Sequence, residues 1–482
     1  MSIPLLLAVP LLTACVVALP MSLRLRSLLS VGSAGLVLVL AVHLAFAVTG
    51  AGRVAGPLGL LACEGLGALL ALLTAFVSLC ASLFASGMPL GGAGGSVNGR
   101  AFHPLFQLFV ASILTVVLSE HLALTWVALA MTTLFSAFLV AYYDTPEALE
   151  AAWKYVVLTT VGAVVVLLGL LMLYWGLTAS GEHSFTWGAV AEAAPRMPRP
   201  ILWTSFLLVL VGAGTKAGVA PMHTWLPDAH SQAPAPVCAL LSGVETSSAL
   251  YVVLRLAAPL AGAGIGGART ALLVFGLGSL LLAALVLVQV RDLKRLLAYS
   301  TVEHMGIVLV AAGLGGAASF GAAFQLLAHA LAKSFAFLTA GTVGRACASH
   351  SIRDIRGLAS SSPWLGLTLL LAALGITGAP PTAVFLSEIA IVRGGLGQGA
   401  YLVVGALVVL VVVAFCAVLH HVHAMLFAPS EPGAAIAAGA VPRSFVGALV
   451  LAAIPLLVLG LSLPGWVQDL LARAAASLGG GG

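Results

Sequence analysis

The stretch LLVLVGAGTKAGVAPMHTWLPDAH, residues 207–230, contains the feature that decides the fold. A strongly apolar run leads into Lys216, and Pro221 follows five residues later. Proline removes a backbone hydrogen bond, and non-helical backbone at membrane depth is tolerated only against protein or a water-filled cavity. We therefore predict a membrane-spanning helix that breaks near Gly218–Pro221 beside a charge, the way transporters build ion sites. The alternative is a lysine that snorkels to the interface.

The composition places the whole chain in lipid. Hydrophobic residues make up 61% of the 482 positions and charged residues 7%, with a mean hydropathy of +1.16. Soluble proteins carry about 25% charged residues, so this chain has too few polar groups to cover a surface in water. We predict an integral membrane protein.

Two other classes are disfavoured by the charge and the cysteines. The net charge of +5 comes from residues scattered through short loops, without the basic patch that nucleic-acid binding needs. The six cysteines are far apart and form no CxxC pair, so no iron–sulfur or redox dithiol site is expected in this chain. No cofactor and no metal site are therefore predicted.

Apolar runs of spanning length predict an all-α protein with about fourteen transmembrane helices. The first run lacks a basic segment before it, and Arg24 and Arg26 follow it, which favours a first span over a signal peptide. The short loops carry a modest excess of Lys and Arg on one side, which places both termini outside the cytoplasm. The runs are 3–21, 29–50, 62–86, 104–119, 121–142, 155–177, 201–220, 234–257, 270–290, 296–313, 319–344, 364–391, 400–426 and 444–463.

A second interrupted run reads LLLAALGITGAPPTAVFLSEIAIV, residues 369–392. Gly378, Pro380 and Pro381 break it, and Glu388 follows two helical turns later. The two interrupted segments occupy comparable places in the two halves of the chain, which is the sequence pattern of inverted repeats. The internal similarity is weak and does not establish the repeat by itself.

Charged side chains inside apolar runs are rare here, and each costs about 2.5–3.5 kcal/mol at the bilayer centre. His329 and Lys333 stand four apart, on one helix face, and predict a proton relay because imidazole titrates near neutral pH. His304 is either part of that relay or structural, and Glu245 is interpreted as a counter-ion. The residues found inside the runs are Glu64, which could instead be interfacial, Lys216, Glu245, His304, His329, Lys333 and Glu388.

Four stretches resemble the antiporter-like subunits of respiratory complex I, the Mrp-type cation/proton antiporters and the membrane-bound group 4 nickel–iron hydrogenases. The form APAPVCALLSG, together with STVEHMGI, is most similar to the hydrogenase-4 component F type of formate hydrogenlyase-like complexes. The resemblance runs in order from about residue 100 to residue 425. The stretches are GTKAGVAPMHTWLPDAHSQAPAPVCALLSGV (214–244), DLKRLLAYSTVEHMGIVL (292–309), HALAKSFAFLTAG (329–341) and GAPPTAVFLSEIAIV (378–392).

The resemblance implies fourteen helices with two inverted five-helix repeats, helices 4–8 and 9–13, in which helices 7 and 12 are broken. It divides the chain into a three-helix segment (1–100), a first repeat (101–260), a second repeat (268–427) and a last helix with a short tail (428–482). It also implies a proton path at mid-membrane. The residues it assigns to that path are Lys216, Glu245, His304, His329, Lys333 and Glu388, with His223, Asp228, His230, Asp292 and Lys294 in loop and supporting places.

The chain departs from the family pattern in the fifth helix. Members usually carry a glutamate there that pairs with the lysine of the seventh helix, but in TWVALAMTTL (125–134) Ala130 takes that place. In the eighth helix Ser247 stands where a lysine or histidine is common, and Glu245 lies two residues earlier. Our hypothesis is that Glu245 replaces the missing partner of Lys216. The competing hypothesis is that this half no longer conducts and is a scaffold.

Three functions follow as expectations. The first is a non-catalytic, proton-translocating (or Na⁺-translocating) subunit in the plasma membrane of a prokaryote. Its partners would be other membrane-arm subunits and a peripheral nickel–iron hydrogenase-like module with iron–sulfur subunits. The second is a stand-alone or Mrp-like cation/proton antiporter. The third is a non-pumping scaffold, or a subunit of another ion-coupled complex such as one for inorganic carbon uptake.

Overall fold

The computed structural model describes residues 2–89, 98–429 and 441–479, and within these ranges the chain is almost entirely helical. Twelve of the described helical segments are long and apolar enough to cross a membrane, and two shorter apolar helices, Ser2–Ala18 and Pro363–Ile376, stand beside them. The prediction of an all-α integral membrane protein with about fourteen spans is confirmed.

The helices of the first half begin with three that precede the first predicted repeat. They are α1 (Ser2–Ala18), α2 (Leu23–Ala51), α3 (Gly65–Ala85), α4 (Asn98–Leu118), α5 (Leu122–Val140), α6 (Pro146–Ala179), α7 (Trp187–Ala193), α8 (Arg199–Ala217), α9 (Trp225–Gln232), α10 (Ala235–Leu240) and α11 (Thr246–Gly262). A π turn, Leu241–Glu245, joins α10 to α11, and 3-10 turns lie at Pro57–Gly59, Ala141–Tyr143 and Ala194–Arg196. A short antiparallel hairpin pairs β1 (Arg53–Ala55) with β2 (Ala62–Glu64).

The second half repeats the order of long and interrupted helices. It consists of α12 (Gly267–Leu287), α13 (Leu293–Leu314), α14 (Ala318–Cys347), α15 (Leu358–Ser361), α16 (Pro363–Ile376), α17 (Ala383–Gly397), α18 (Tyr401–Phe427), α19 (Arg443–Leu461) and α20 (Gly465–Ala476). The interrupted element is the fourth in each set of five, namely α8–α9 in the first and α16–α17 in the second. The residue boundaries drawn between the repeats from the sequence stay predictions.

Both predicted helix breaks are present. α8 ends at Ala217, and Gly218 takes a positive φ of 76° while its N–H bonds back to the last turn, a cap that favours glycine. In the second half the predicted single run 364–391 is two helices, separated around Gly378, whose φ is 65°. Glycine and proline thus end each helix at the place where the sequence pattern indicated.

The core of the bundle lies in the helices that carry the predicted polar residues. The segments Ala235–Gly262, Leu293–Leu314 and Ala318–Cys347 are almost completely enclosed by other helices, whereas α18 is mostly open to the surroundings. Large apolar side chains project from the outer helices, for example Leu28, Trp153 and Val409. In water such a surface would be a liability, and here it is the face toward lipid.

Three charged residues lie at or near the ends of predicted spans. Lys154, which the run 155–177 leaves out, lies inside α6, and Arg255, near the end of the run 234–257, lies inside α11. The run 155–177 is shorter than α6 because a charged residue ends a hydropathy window before it ends a helix. Glu64 lies in β2, ahead of α3, and is part-exposed, so it belongs to the interface rather than to the third span.

Candidate functional site

Lys216 is buried near the end of α8, where this helix packs between α6 and α11. Its Nζ lies 2.8 Å from Glu245 Oε1, and both side chains are almost completely enclosed. The burial contradicts the snorkelling alternative. The two residues that the sequence hypothesis paired, Lys216 and Glu245, form an ion pair in the structure.

Three hydroxyl groups surround this ion pair. Lys216 Nζ donates to Thr133 Oγ1 at 2.6 Å and to the Tyr155 hydroxyl at 3.4 Å. The Tyr155 hydroxyl donates in turn to Glu245 Oε1 at 2.9 Å, and it lies 2.7 Å from Ser136 Oγ. The amine and the carboxylate are therefore joined directly and also through one bridging hydroxyl, a geometry through which a proton can move.

The helix α5 contributes a hydroxyl where the family pattern has an acid. Thr133 lies one turn after Ala130 on the same helix and reaches Lys216. A neutral hydroxyl can accept a hydrogen bond from an ammonium group but cannot balance its charge. Glu245 of the neighbouring helix supplies that charge.

The π turn Leu241–Glu245 sets the position of Glu245. Thr246 N bonds to Leu241 O, the wider spacing of a π turn, so Ser242 O is left without its usual backbone donor. That carbonyl instead accepts from Thr246 Oγ1 at 2.6 Å and from His329 Nε2 at 2.9 Å. One turn of helix therefore carries the acid of the first half and contacts an imidazole of the second half.

His329 and Lys333 lie on one face of α14, as predicted, and both are fully buried. Lys333 Nζ donates to Leu297 O at 2.9 Å and to Ser300 Oγ, both on α13. The rings of His304 and His329 are 5.0 Å apart. The three residues form one cluster between α13 and α14, so the structure favours a place for His304 in the predicted relay.

The cluster reaches the break of the second repeat through His304. Its Nε2 donates to Ile376 O, at the end of α16, over 2.8 Å, and its Nδ1 accepts from Gln325 Nε2 at 3.2 Å. Ser387 donates to Gln325 Oε1, and Glu388 follows Ser387 in α17. Glu388 therefore lies one residue beyond a hydrogen-bonded line that starts at His304.

Glu388 is only half-buried, and its carboxylate packs against Gly378 in the break. A Cβ atom at position 378 would overlap Glu388 Oε2. The glycine thus serves two needs at once, a positive φ and space for the acid.

Two of the predicted supporting residues lie at a helix end away from the axis. Asp228 pairs with Lys154 at 3.3 Å and with Arg295 at 3.2 Å. Asp292 caps α13 by accepting from Arg295 N at 2.8 Å, and burial raises the pKa of its carboxyl group. Both acids fix the ends of helices and do not contact the buried cluster.

The other three supporting residues, Lys294, His230 and His223, contact neighbouring segments of the bundle. Lys294 Nζ donates to Ala233 O at 2.9 Å and so ties α13 to the segment before α10. His230 is fully buried with its ring 5.1 Å from that of Phe337, one turn beyond Lys333. His223 lies in the first break with its ring 6.1 Å from that of Tyr299.

Glu303 is a site residue that the sequence reading missed. It is buried on α13, three residues after Ser300, so it lies one turn along the face that binds Lys333. The signal was present, since Glu303 stands inside the run 296–313 next to His304.

Glu120 and Arg255 form a second buried pair that was also missed. Glu120 Oε2 lies 2.9 Å from Arg255 Nη2, and Glu120 Oε1 lies 3.1 Å from Arg53 Nη2. Glu120 Oε1 also accepts from Gly188 N at 2.8 Å. This network joins the hairpin, the link between α4 and α5, α7 and α11 at one end of the bundle, and it lies apart from the Lys216 pair.

The comparisons with known proteins bear on the family and the fold. Residues 119–414 match the profile of the NADH:quinone oxidoreductase/Mrp antiporter transmembrane family. The chain belongs to this family. The resemblance that the four sequence stretches indicated is confirmed, and the chain is an antiporter-like, multi-pass membrane protein of the complex I, Mrp and hydrogenase group.

Individual members show how far the similarity extends. The chain is 38% identical over 294 residues to a hydrogenase-4 component F homolog of Methylacidiphilum infernorum, which is 60% of this chain and 62% of that protein. It is 31% identical over 407 residues to NADH-quinone oxidoreductase subunit N of Desulforudis audaxviator, 81% of this chain and 80% of that one. Several curated relatives are matched over less than two thirds of their own length, between 43% and 62%.

The fold agrees with a solved member of a membrane complex. A chain of the membrane-bound sulfane sulfur reductase, an archaeal respiratory membrane complex, superposes with a TM-score of 0.88 at 23% identity. The match covers 99% of this chain and 97% of that chain. The antiporter-like fold therefore extends over the whole length, including the three helices before the first repeat. The functional roles that the sequence assigned to individual side chains stay predictions.

Proposed function

We propose that this family member moves protons across the membrane through its own buried side chains, as a membrane-arm subunit of a multi-subunit complex. The observation that carries the proposal is the line of enclosed titratable groups. It starts at the Lys216–Glu245 pair, passes the Ser242 carbonyl and continues through His329 to His304 and Lys333. Charged and imidazole groups at this depth are costly, and function is the default explanation for them.

The two ends of the line differ in the step that each supports. In the first half, the Tyr155 hydroxyl bridges Lys216 and Glu245, so a proton can pass between amine and carboxylate without a large movement. Glu245 Oε2 is buried without a hydrogen-bond partner among the described residues, so this oxygen is free to accept a proton or a water molecule.

In the second half, Lys333 is held by a carbonyl and a hydroxyl rather than by a direct ion pair in the described part of the chain. Glu303, one turn from Ser300, is the nearest acid along α13. Glu388 lies in α17 with its carboxylate against the break, and it is half-buried, which suits a group that transfers the proton to the outside of the bundle.

A redox reaction in partner subunits is the proposed source of energy. Moving one charge across the membrane potential is worth about 2.3 kcal/mol per 100 mV, so a driving reaction must change the protonation of these groups in sequence. Similarity to a hydrogenase-4 component F homolog favours a nickel–iron hydrogenase-like module with iron–sulfur subunits as the partner. Such redox centres are proposed to lie in those other chains, in the plasma membrane of a prokaryote.

The family profile also covers the Mrp antiporters, which supports cation/proton antiport as the second candidate. In that case the chain, alone or with Mrp-like partners, would couple proton movement to Na⁺ without a redox reaction. A scaffold in a complex such as one for inorganic carbon uptake is the third, non-pumping hypothesis.

The experiment uses the chain with its native partners, isolated as a complex and reconstituted into liposomes containing a pH-sensitive dye. We expect Lys333→Ala and Glu388→Gln to abolish proton uptake while electron transfer by the partners continues or becomes uncoupled. The matched control is Lys154→Gln, a part-exposed lysine that pairs with Glu150 and Asp228 away from the buried cluster, and it should leave proton uptake unchanged.

Each hypothesis has its own outcome in this assay. Full proton uptake by both variants contradicts a path through Lys333 and Glu388 and favours the scaffold. Proton release that requires Na⁺ and no electron donor favours the antiporter. Uptake that stops when the electron donor is withheld and is lost in both variants supports the redox-driven pump.

A further inference from the structure

A cavity of about 740 Å³ lies between the ends of α1, α2, α4 and α5, away from the proton line. Two arginines, Arg26 and Arg100, line it. Its other walls are apolar and include Pro104, Leu105 and Phe138. The cavity thus combines two cationic side chains with an apolar wall.

Arg26 is the unusual group in this cavity. It is only 3% exposed, and its two terminal nitrogens donate to backbone carbonyls, Nη1 to Arg100 O at 2.7 Å and Nη2 to Leu19 O at 2.9 Å. Its Nε has no hydrogen-bond partner, and no carboxylate pairs with it within residues 2–89, 98–429 and 441–479.

A buried cation without a counter-ion is unfavourable, since desolvation is not offset by attraction to an opposite charge. Arg100, on the neighbouring helix, adds a second positive charge at the same end and is exposed. Residues 90–97, which precede α4, contain no Asp or Glu. Among the described residues the charge of the pair is not balanced, which favours the binding of an anion from another molecule.

The position of the cavity indicates the source of that anion. It is formed where α1 ends, α2 and α4 begin and α5 ends, which is the level of the lipid headgroups in a helical bundle. The adjoining surface is lipid-facing, since Leu28 is 68% and Phe138 is 58% exposed. Basic pockets at helix ends between transmembrane helices are suited to anionic lipid headgroups.

We propose that this cavity binds one anionic phospholipid, with the phosphate on Arg26 and Arg100 and an acyl chain along Leu105 and Phe138. Arginine suits a phosphate group because its planar set of N–H donors matches the phosphate oxygens. A transmembrane helix of a partner subunit would need an acid at the headgroup level and would leave the acyl-sized groove only partly filled. A phospholipid supplies both the anion for the arginines and the acyl chain for the apolar wall.

The test counts lipids on the full-length chain, purified in mild detergent with the subunits that accompany it. After delipidation it is titrated with dioleoylphosphatidylglycerol, dioleoylphosphatidylcholine or inorganic phosphate, and bound molecules are counted by native mass spectrometry. We expect one tightly held phosphatidylglycerol per chain. Arg26→Gln with Arg100→Gln should weaken it at least about tenfold, as the loss of charge-assisted hydrogen bonds does.

Two further variants keep the result interpretable. Ala101→Trp fills the cavity, which Ala101 lines, and leaves both arginines in place, so it should also release the lipid. Arg24→Gln removes an exposed arginine two residues away that does not line the cavity, and it should leave binding unchanged. If the Arg26 variant fails to fold, Ala101→Trp and Arg100→Gln decide the question.

Several results would overturn the proposal. Equal retention of phosphatidylcholine and phosphatidylglycerol would remove the role of the two arginines. Binding of inorganic phosphate as tight as that of the lipid would show an anion site rather than a lipid site. Displacement of the lipid by a co-purifying membrane subunit, with cross-links from position 101, would make the cavity a subunit interface.

Discussion

Replacing Glu245 by glutamine removes the only carboxylate that pairs with Lys216 within the described ranges. With an Nζ–Oε1 distance of 2.8 Å, Coulomb's law at an effective dielectric constant of about 20 gives an attraction of about 6 kcal/mol. Thr133 and Tyr155 keep contacting the amine and offset part of the loss. We expect Glu245→Gln to destabilise the charged form of Lys216 by about 3–5 kcal/mol, the range for breaking a buried pair from one side.

The assay has a stability part and a transport part. Apparent Tm is followed by tryptophan fluorescence for Glu245→Gln, Lys216→Met and the double variant, in the detergent-purified chain with its partners. Both single variants should melt several degrees lower. The double variant should be more stable than Glu245→Gln, because it leaves no unpaired buried charge. Proton uptake should be lost in all three.

A rescue tests the idea that the acid has changed helices. Ala130→Glu places a carboxylate on α5 one turn before Thr133, which already reaches Lys216. In the Glu245→Gln background this second change should restore most of the lost Tm and part of the proton uptake. The reasoning would be refuted if Glu245→Gln melted at the wild-type temperature. It would also be refuted if the variant with both Glu245→Gln and Ala130→Glu showed only the sum of the two single losses.

Three further predictions concern other parts of the bundle. Gly378→Ala should cost about 1–3 kcal/mol in unfolding free energy and impair proton uptake, because alanine is strained at φ 65° and its Cβ overlaps the Glu388 carboxylate. The control in the same thermal melts and uptake assay is Gly405→Ala, because a Cβ atom at that position meets no other atom. Glu120→Gln should cost about 2 kcal/mol, because it removes the nearer carboxylate of Arg255, at 2.9 Å, and leaves Glu64 at 3.9 Å. A chemical denaturation series that finds no loss of unfolding free energy would make this network dispensable. Burial lowers the pKa of His350 to about 3. Below about pH 6.5 the unfolded chain takes up a proton at this ring and the folded chain does not, so folding stability falls by about 2 kcal/mol by pH 5. His350→Phe should flatten that part of a curve of Tm against pH.

The breaks and the long helices could be predicted from the sequence because their signals are local. Gly218 and Pro221 act on the backbone within one turn, and an apolar run reports its own burial. The pairing of Lys216 with Glu245 was also within reach, because an amine inside the bilayer needs an acid and few acids were available.

Other features could not be predicted because they depend on neighbours distant in sequence. Thr133 and Tyr155 are ordinary polar residues in apolar helices, and only the packing of α5 and α6 on α8 gives them a role. The π turn before Thr246 leaves no trace in hydrophobic periodicity, since every residue around it is buried. The run 155–177 begins after Lys154, although α6 includes this residue, because a hydropathy window treats any charge as an end.

The position of the acid in the π turn before α11 changes how the two halves can communicate. With an acid on α5, the partner of Lys216 would belong to a helix other than the segment whose carbonyl binds His329. Here Glu245 ends the same π turn whose Ser242 carbonyl accepts from His329. A change in the protonation of Glu245 or of His329 therefore alters hydrogen bonds of the same five-residue segment. A scaffold would gain little from this arrangement, because a buried ion pair contributes weakly to stability compared with apolar packing. The relocation therefore favours a conducting first half that is mechanically tied to the second.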